Sequence, residues 1–317
     1  MRTLKVDYSA LFDGLEGKPD SYRVLADNYE WPKRDVEKHI AGRRFDQFQD
    51  YLNGLLANAR GKTIVECGCG PGGNLIRFGA DNRCIGLDFS LTALRKIRAY
   101  TDQVKPVGAD IRYLPLVDNS ADYVLFSRVL FIYEDLEQID RMLTEARRIL
   151  KPGGQVIVVN DYCNAGILLS TGVRDLWGQI RPLFGAQSED AREFMLYYFS
   201  KNDMRQLLQK ADMKVEDEYL CNVHTGIFHL TYHHPILAIM LRSLWRHYRI
   251  RRLDHWQRAQ DARHVNDAYP LNILGRLLEK IIRHLFPSLA ALSLCNLASK
   301  PVDKAPQTPG ALPVHGI

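Results

Sequence analysis

The sequence predicts an α/β protein with a doubly wound, mostly parallel seven-stranded sheet and a helical insertion before the last strand. Three observations lead to this fold class. Short apolar runs alternate with amphipathic helical segments over most of the chain up to residue 220, as they do in doubly wound sheets. A glycine-rich turn, CGCGPGGN, lies at the end of the first of those runs. An aspartate, Asp88, ends the second run.

Seven runs have the length and composition of strands: Thr63–Cys67, Cys84–Asp88, Val104–Asp110, Ala121–Ser127, Gln155–Asn160, Lys214–Leu220 and Ser288–Lys300. Apolar residues spaced three or four apart predict helices over Asp35–Ala59, Ser90–Tyr100, Leu136–Leu150 and Ser200–Ala211, and a further helix opening at Asn74–Phe78. Ser90 is a suitable N-cap for the helix that it begins. The Pro-Gly-Gly at 152–154 ends the helix predicted over Leu136–Leu150. Most of the stretch between residues 161 and 199 is also expected to be helical.

These elements divide the chain into five regions. Residues 1–60 are expected to form an N-terminal helical cap, and residues 61–234 the ligand-binding α/β domain. Residues 235–287 are expected to be a basic amphipathic helical insertion, followed by the final strand at 288–300. Residues 301–317 contain four prolines and are expected to be a disordered tail.

The composition is that of a globular protein, with 46% hydrophobic and 25% charged residues. The N-terminus lacks the apolar core of a signal peptide, and the nearly apolar stretch Leu285–Ala298 is too short to span a bilayer. The six cysteines are scattered, which predicts reduced thiols in a cytoplasmic protein. Cys67 and Cys69 lack the two-residue spacing usual in zinc pairs, so no metal site is predicted.

The glycine-rich turn is expected to bring backbone close to a ligand at the carboxyl edge of the sheet. Gly68, Gly70 and Gly73 fit G-x-G-x-x-G, a pattern typical of dinucleotide sites, whereas Gly68, Gly70 and Gly72 fit G-x-G-x-G. The glycines alone therefore leave the identity of the ligand open.

Three acids help to choose between ligands. Asp88 can accept hydrogen bonds from both hydroxyls of a ribose, which suits NAD as well as any other adenosine ligand. Glu66 would repel the pyrophosphate of a dinucleotide but would attract the ammonium group of S-adenosylmethionine. Asp110 follows the third strand and can accept a hydrogen bond from the adenine amino group; the alternative is that it caps a turn. Together they favour S-adenosylmethionine over a nicotinamide cofactor.

The chain resembles the class I S-adenosylmethionine-dependent methyltransferase family, and especially the branch that methylates small molecules, lipids and quinones. The resemblance is carried, in order, by IVECGCGPGG, IGLDFS, GADIRYLPLVDNSADYVLFSRVLFIYED and ILKPGGQVIVV. It covers residues 35–160 strongly and the final strand weakly. It implies a Rossmann-like methyltransferase fold with S-adenosylmethionine as cofactor, bound by Glu66, Gly68, Gly70, Gly72, Asp88, Phe89, Asp110, Ile111 and Ser127. The stretch Ser127–Leu130 is expected, by the same resemblance, to line the methionine end of the site.

Methyl transfer from a sulfonium is an in-line displacement, so the protein mainly orients the acceptor and excludes water. An oxygen or nitrogen acceptor can also need a general base. Many relatives have a histidine or an acid in the segment where this chain has Phe131 and Ile132. The remaining candidates for a catalytic role are Asp161, His224 and His229, each with a structural role as the alternative.

The segment from Pro235 to Ala290 contains ten Arg or Lys and four Asp or Glu, a net charge of +6. It contains two apolar stripes edged by arginine, the second of them formed by Leu274, Leu277, Leu278, Ile281, Ile282 and Leu285. One interpretation is a substrate lid or a homodimer contact. Another is a site for an anionic membrane surface or a lipid acceptor. Nucleic acid is unlikely as a partner, because the catalytic region shows no matching excess of basic residues.

The sequence therefore predicts a methyltransferase that acts on a hydrophobic or lipid-linked small molecule, at oxygen. The predicted setting is the biosynthesis of a secondary metabolite or of a cell-surface glycan or lipid, a step made by family analogy. Its predicted place is the cytoplasm, peripheral at the inner membrane surface if the membrane interpretation holds. The alternatives are a non-catalytic S-adenosylmethionine-binding module and, less favoured, a nicotinamide-dependent oxidoreductase.

Overall fold

The computed structural model describes residues 2–7, 47–70, 72–130, 136–163, 193–221, 273–285, 287–291 and 293–302. Its strands are β1 (Arg2–Asp7), β2 (Thr63–Cys67), β3 (Arg83–Asp88), β4 (Val104–Gly108), β5 (Ala121–Ser127), β6 (Leu150–Asp161), β7 (Glu193–Tyr198), β8 (Lys214–Cys221) and β9 (Ser293–Ser299). Its helices are α1 (Gln47–Leu56), α2 (Leu91–Tyr100), α3 (Leu136–Ile149), α4 (Lys201–Lys210), α5 (Ile273–Leu285) and α6 (Pro287–Ala290). In these parts of the chain, no helix is long and apolar enough to cross a membrane.

Seven strands form one sheet in the order β4-β3-β2-β5-β6-β9-β8. Neighbouring strands pair in parallel from β4 to β6, whereas β9 runs antiparallel to both β6 and β8. The order along the chain reverses between β2 and β5. In sheets of this kind, ligands bind beyond the carboxyl ends of the strands at such a reversal. The predicted doubly wound, mostly parallel sheet is thus confirmed.

Helices cover both faces of the sheet, as double winding requires. On one face, α1 and α2 bury an apolar cluster that includes Leu52 and Ile97. On the other face, α3 and α4 bury a larger cluster that includes Met142 and Leu208. The apolar residues of α3 recur every three or four positions, and five of them are buried, so this helix is held mainly by its inner face.

Several predicted boundaries were wrong: β6, for example, begins at Leu150 rather than Gln155, and β4 ends at Gly108 rather than Asp110. Residues 74–78 form turns rather than a helix, because Leu75 and Phe78 donate to carbonyls only three residues back. The last strand begins at Ser293 rather than residue 288, since Pro287 opens the short helix α6 instead. Proline is favoured at a first helical position because it has no N–H to lose there.

A two-stranded antiparallel ribbon was missed by the sequence analysis. Its strands, β1 and β7, pair over six residues each, although β1 lies in the predicted helical cap and β7 in a stretch expected to be helical. Just after β7, the Phe199 N–H donates to the Asp161 carbonyl, and the Cys163 N–H donates to the Phe199 carbonyl. The ribbon is therefore tied to the carboxyl end of β6.

Several sequence predictions lie outside the described residues. These are the roles of His224 and His229, the structure of residues 235–272, and the predicted tail beyond residue 302. Of the predicted insertion, α5 is the main part that can be examined.

Candidate functional site

The carboxyl ends of five adjacent strands bring the predicted cofactor and catalytic positions to one edge of the sheet. Glu66 lies near the end of β2, Asp88 ends β3, Ser127 ends β5 and Asp161 ends β6. Asp110 follows the end of β4 by two residues. These positions are up to 95 residues apart in the chain and become neighbours only because the strands are parallel and in register.

The glycine turn after β2 has a backbone that other residues adopt only under strain. Gly68, Gly70 and Gly72 all have positive φ angles, of 71°, 51° and 77°. A Cβ on Gly68 would lie 2.4 Å from the Val129 Cγ2, and one on Gly72 would lie 3.0 Å from the Ile97 side chain. Both the backbone angle and the space therefore require glycine at Gly68.

Asp88 holds this turn in place. One of its carboxylate oxygens accepts the Gly70 N–H at 2.8 Å, and the other accepts the Ser90 N–H at 2.8 Å. The Gly68 and Cys69 N–H groups both donate to the carbonyl of Leu87, one residue earlier. The end of β3 thus fixes the glycine turn.

Glu66 is 1% exposed, and its Oε1 accepts a 2.6 Å hydrogen bond from the Asn74 side-chain amide. Its Oε2 is buried and has no hydrogen-bond partner in the structure. The pKa of Glu66 is raised to about 8. Loss of hydration is the main cause and the nearby Asp88 charge adds to it, while the Asn74 hydrogen bond partly opposes both. A buried acid with an unpaired oxygen would be stabilised as a carboxylate by a cationic ligand group.

These features fit S-adenosylmethionine. The unpaired Glu66 oxygen is suited to the ammonium of its methionine part, and Asp88 is suited to its ribose hydroxyls. A side chain at Gly68 or Gly72 would press against Val129 or Ile97 and distort the turn that faces the ligand edge. By contrast, a dinucleotide would bring a pyrophosphate to a buried acid rather than to a cation.

The Asp110 carboxylate caps a tight turn by binding Arg112, two residues further along the chain. The Arg112 N–H donates to the Asp110 carboxylate at 2.9 Å, and the Arg112 guanidinium contacts it at 2.6 Å. The Arg112 hydrogen bonds hold the pKa of Asp110 below its usual value. The turn-capping alternative is therefore realised, yet the Asp110 side chain remains 40% exposed and can still accept a bond from a ligand. The Ile111 side chain is buried in the core and Phe89 is half-buried, so their contacts with adenine stay predictions.

Asp161 lies beside a residue that the sequence analysis did not single out. Arg128 follows the last residue of β5 with a φ of 56°, an unusual angle for a side chain with a Cβ. The Arg128 guanidinium lies 3.5 Å from the Ser293 hydroxyl, and Ser293 is the register partner of Asp161. Burial raises the pKa of Asp161, and the Arg128 charge partly opposes that rise.

Two contributors to this edge escaped the sequence analysis, Asn74 and Ser293, whereas Arg128 was named only as part of the stretch Ser127–Leu130. Asn74 could have been suspected, since it is a polar residue close to a motif at the end of a predicted strand. Nothing in the sequence marks Ser293. It reaches the site only because β9 inserts antiparallel beside β6.

Comparisons with known proteins agree with this geometry. A protein family described as a methyltransferase domain matches residues 64–154. A phosphatidylethanolamine N-methyltransferase from Cereibacter sphaeroides is 29% identical over 33% of this chain and 53% of its own length. A malonyl-[acyl-carrier protein] O-methyltransferase from Pseudescherichia vulneris is 32% identical over 42% of this chain and 52% of its own length. The chain thus spans about half the length of these two relatives.

The fold has a counterpart among solved structures. The phosphoethanolamine N-methyltransferase 2 of Haemonchus contortus, solved with S-adenosylmethionine, matches with a TM-score of 0.53 at 16% identity. The match covers 89% of this chain and 60% of that one. The matched segment 64–154 contains Glu66, the glycine turn, Asp88 and Asp110. Residues 64–154 therefore match a methyltransferase domain, and this segment is similar to S-adenosylmethionine-dependent methyltransferases.

Proposed function

We propose that this protein transfers the methyl group of S-adenosylmethionine to an oxygen of a hydrophobic or lipid-linked small molecule. The proposed setting is the biosynthesis of a secondary metabolite or of a cell-surface glycan or lipid, with the acceptor taken up at an anionic membrane surface. The observation that carries the proposal is the cradle formed by Glu66, the three positive-φ glycines and Asp88, which opens at the same sheet edge as Asp161.

The bound cofactor would supply an electrophilic methyl group. The protein would hold the ends of the cofactor through Glu66 and Asp88 and would bring the acceptor to the edge formed by Asp161, Arg128 and Ser293. Asp161 is the described candidate for a general base, because its raised pKa places it closer to neutrality than an ordinary aspartate. His224 and His229 stay as further candidates for that role.

The nature of the acceptor is supported by two kinds of observation. The two relatives act, by their names, on a phospholipid and on a carrier-bound acyl group. One of them methylates oxygen and the other nitrogen, so oxygen is a proposal for this chain. The +6 segment from Pro235 to Ala290 gives the protein a cationic, partly apolar region suited to anionic lipid.

The test is incubation with methyl-labelled S-adenosylmethionine and a lipid extract, followed by mass spectrometry of the labelled organic phase. Label in an O-methyl group of an apolar product would support the proposal. Label on nitrogen or in a water-soluble product would contradict its acceptor class. Cofactor binding without turnover over a wide range of extracts would favour the non-catalytic module.

A further inference from the structure

Helix α5 carries an exposed apolar stripe along its whole length. Ile273, Leu277, Ile281 and Leu285 are 76%, 55%, 46% and 57% exposed. They are spaced four residues apart, so they follow one another along one side of the helix, over about 20 Å. Of the predicted stripe, Leu277, Ile281 and Leu285 are exposed, whereas Ile282 is buried.

The opposite side of α5 is fixed to the α/β domain. Ile282 is 8% exposed and belongs to the larger apolar cluster. The Arg283 guanidinium donates to the Leu220 carbonyl at 2.8 Å and lies 5.0 Å from the centre of the Tyr219 ring. Because these contacts hold the helix from behind, the exposed stripe faces outward as a fixed surface.

This surface lies next to the carboxyl edge of the sheet. Arg283 contacts the carboxyl end of β8, where Cys221 pairs with Ser293. Ser293 also pairs with Asp161 at the end of β6. Helix α5 is therefore attached at β8, which lies two strands from β6 and its candidate general base, Asp161.

A lysine and a histidine lie beside the stripe. With 3.6 residues per turn, Lys280 and His284 fall along its edge next to Ile273, and both are exposed. A second copy of the chain is a poor partner for this surface, because two helices from a segment of net charge +6 would bring like charges together. An apolar stripe with a basic edge is instead the pattern of helices that lie in the plane of a membrane interface.

We infer that the stripe formed by Ile273, Leu277, Ile281 and Leu285 docks on an anionic lipid surface and turns the carboxyl edge of the sheet toward it. The inference rests on the proposed function in so far as that edge receives a membrane-derived acceptor. Docking would let such an acceptor pass from the lipid surface to the carboxyl edge of the sheet without passing through water.

The test uses the full chain and vesicles of phosphatidylcholine with or without phosphatidylglycerol, in co-sedimentation at low and high salt. The wild type is expected to bind the anionic vesicles and to be released by salt. Leu277→Asn with Ile281→Asn should weaken binding at least tenfold. The matched control, Leu91→Asn with Val117→Asn, also replaces two exposed aliphatic residues, which are 53% and 75% exposed, and should bind like the wild type.

A second measurement does not depend on loss of binding. Against the signal of the four native tryptophans, tryptophan added at residue 277 should increase quenching by brominated anionic lipid, whereas tryptophan added at residue 117 should not. Failure of the wild type to bind, equal binding by the Leu277/Ile281 variant, or equal quenching at both positions would overturn the inference. A dimer that only the Leu277/Ile281 variant dissociates would also overturn it, in favour of a second copy.

Binding of S-adenosylmethionine, measured in parallel by calorimetry, separates the two proposals. Intact cofactor turnover without vesicle binding would remove the docking surface and leave the proposed function standing. Vesicle binding without cofactor binding or turnover would leave the docking surface standing and remove the proposed function.

Discussion

The Asp88 carboxylate accepts the Gly70 N–H at 2.8 Å and thereby connects the end of β3 to the glycine turn after β2. This hydrogen bond shapes the glycine turn. The same carboxylate is the one that we propose binds the ribose of the cofactor. Removal of its side chain should therefore affect both the loop and the ligand.

Asp88→Ala is expected to weaken S-adenosylmethionine binding by about 2–3 kcal/mol, roughly 30- to 150-fold in Kd, because hydrogen bonds to a charged group are lost. Asp88→Asn keeps one acceptor oxygen and should have a smaller effect. Calorimetry measures both, with Asp102→Ala, at an exposed acid outside the site, as the control. An unchanged Kd for a folded Asp88→Ala protein would refute the assignment.

Gly68→Ala is expected to destabilise the protein by about 1–3 kcal/mol and to reduce cofactor affinity more than tenfold. The reason is the φ of 71° together with the 2.4 Å approach of a Cβ to Val129. Adding Val129→Ala should restore only part of the stability, since it relieves the steric contact but not the backbone angle. Thermal melting and calorimetry provide the measurements.

Gly54→Ala is the matched control for this change. Gly54 lies inside α1, and a Cβ there would meet nothing within 4 Å. Alanine at this position should stabilise the protein by about 0.5–1 kcal/mol through helix propensity. If Gly68→Ala behaved like Gly54→Ala, the turn would not require glycine at position 68.

Binding of S-adenosylmethionine at pH 7 is expected to release close to one proton from Glu66. With a pKa of about 8, the free protein holds this acid mostly protonated, and the cofactor ammonium would favour the carboxylate. Calorimetry in two buffers of different ionisation enthalpy counts the protons. Glu66→Gln should remove most of the release, and the same count in both proteins would contradict a Glu66–ammonium contact.

Glu66 should also change the pH dependence of stability without ligand. Its folded pKa is raised above 4.5, so its contribution is fully present below the unfolded pKa and is lost as the pH rises through about 8. The wild type should therefore lose stability relative to Glu66→Gln as the pH rises from about 4.5 to about 8, and the difference should level off above that. Denaturant titrations at several pH values measure this difference, and parallel curves would argue against a buried acid.

Asp161→Asn is expected to lower kcat by about 100- to 10,000-fold while the Kd for S-adenosylmethionine changes little, if Asp161 is the general base. Arg128→Gln should shift the acidic limb of the kcat/KM profile to higher pH, because the Arg128 charge lowers the pKa of Asp161. A loss of less than about 100-fold for Asp161→Asn would contradict its role as general base and leave His224 and His229 as the candidates.

The sequence by itself determined the order and type of the elements of the seven-stranded sheet and the positions of the candidate cofactor residues. Apolar runs, the glycine turn, and acids at the ends of strands are local patterns, and the sheet places them where those patterns indicate. Glu66, Gly68, Asp88 and Asp110 could therefore be chosen before any contact was known. Their shared edge follows from parallel strands, whose carboxyl ends meet on one side.

Only the tertiary structure decided what depends on contacts between distant segments. The β1–β7 ribbon joins residues about 190 positions apart, so local patterns in the sequence could not predict the pairing. The buried, unpaired Glu66 oxygen and the neighbourhood of Arg128, Asp161 and Ser293 arise from packing. On α5, periodicity identified an apolar stripe but not which of its residues face the core, because helical spacing alone does not fix the rotation of a helix against its neighbours. Contacts of Ile282 and Arg283 fix that rotation and leave Leu277 and Ile281 exposed.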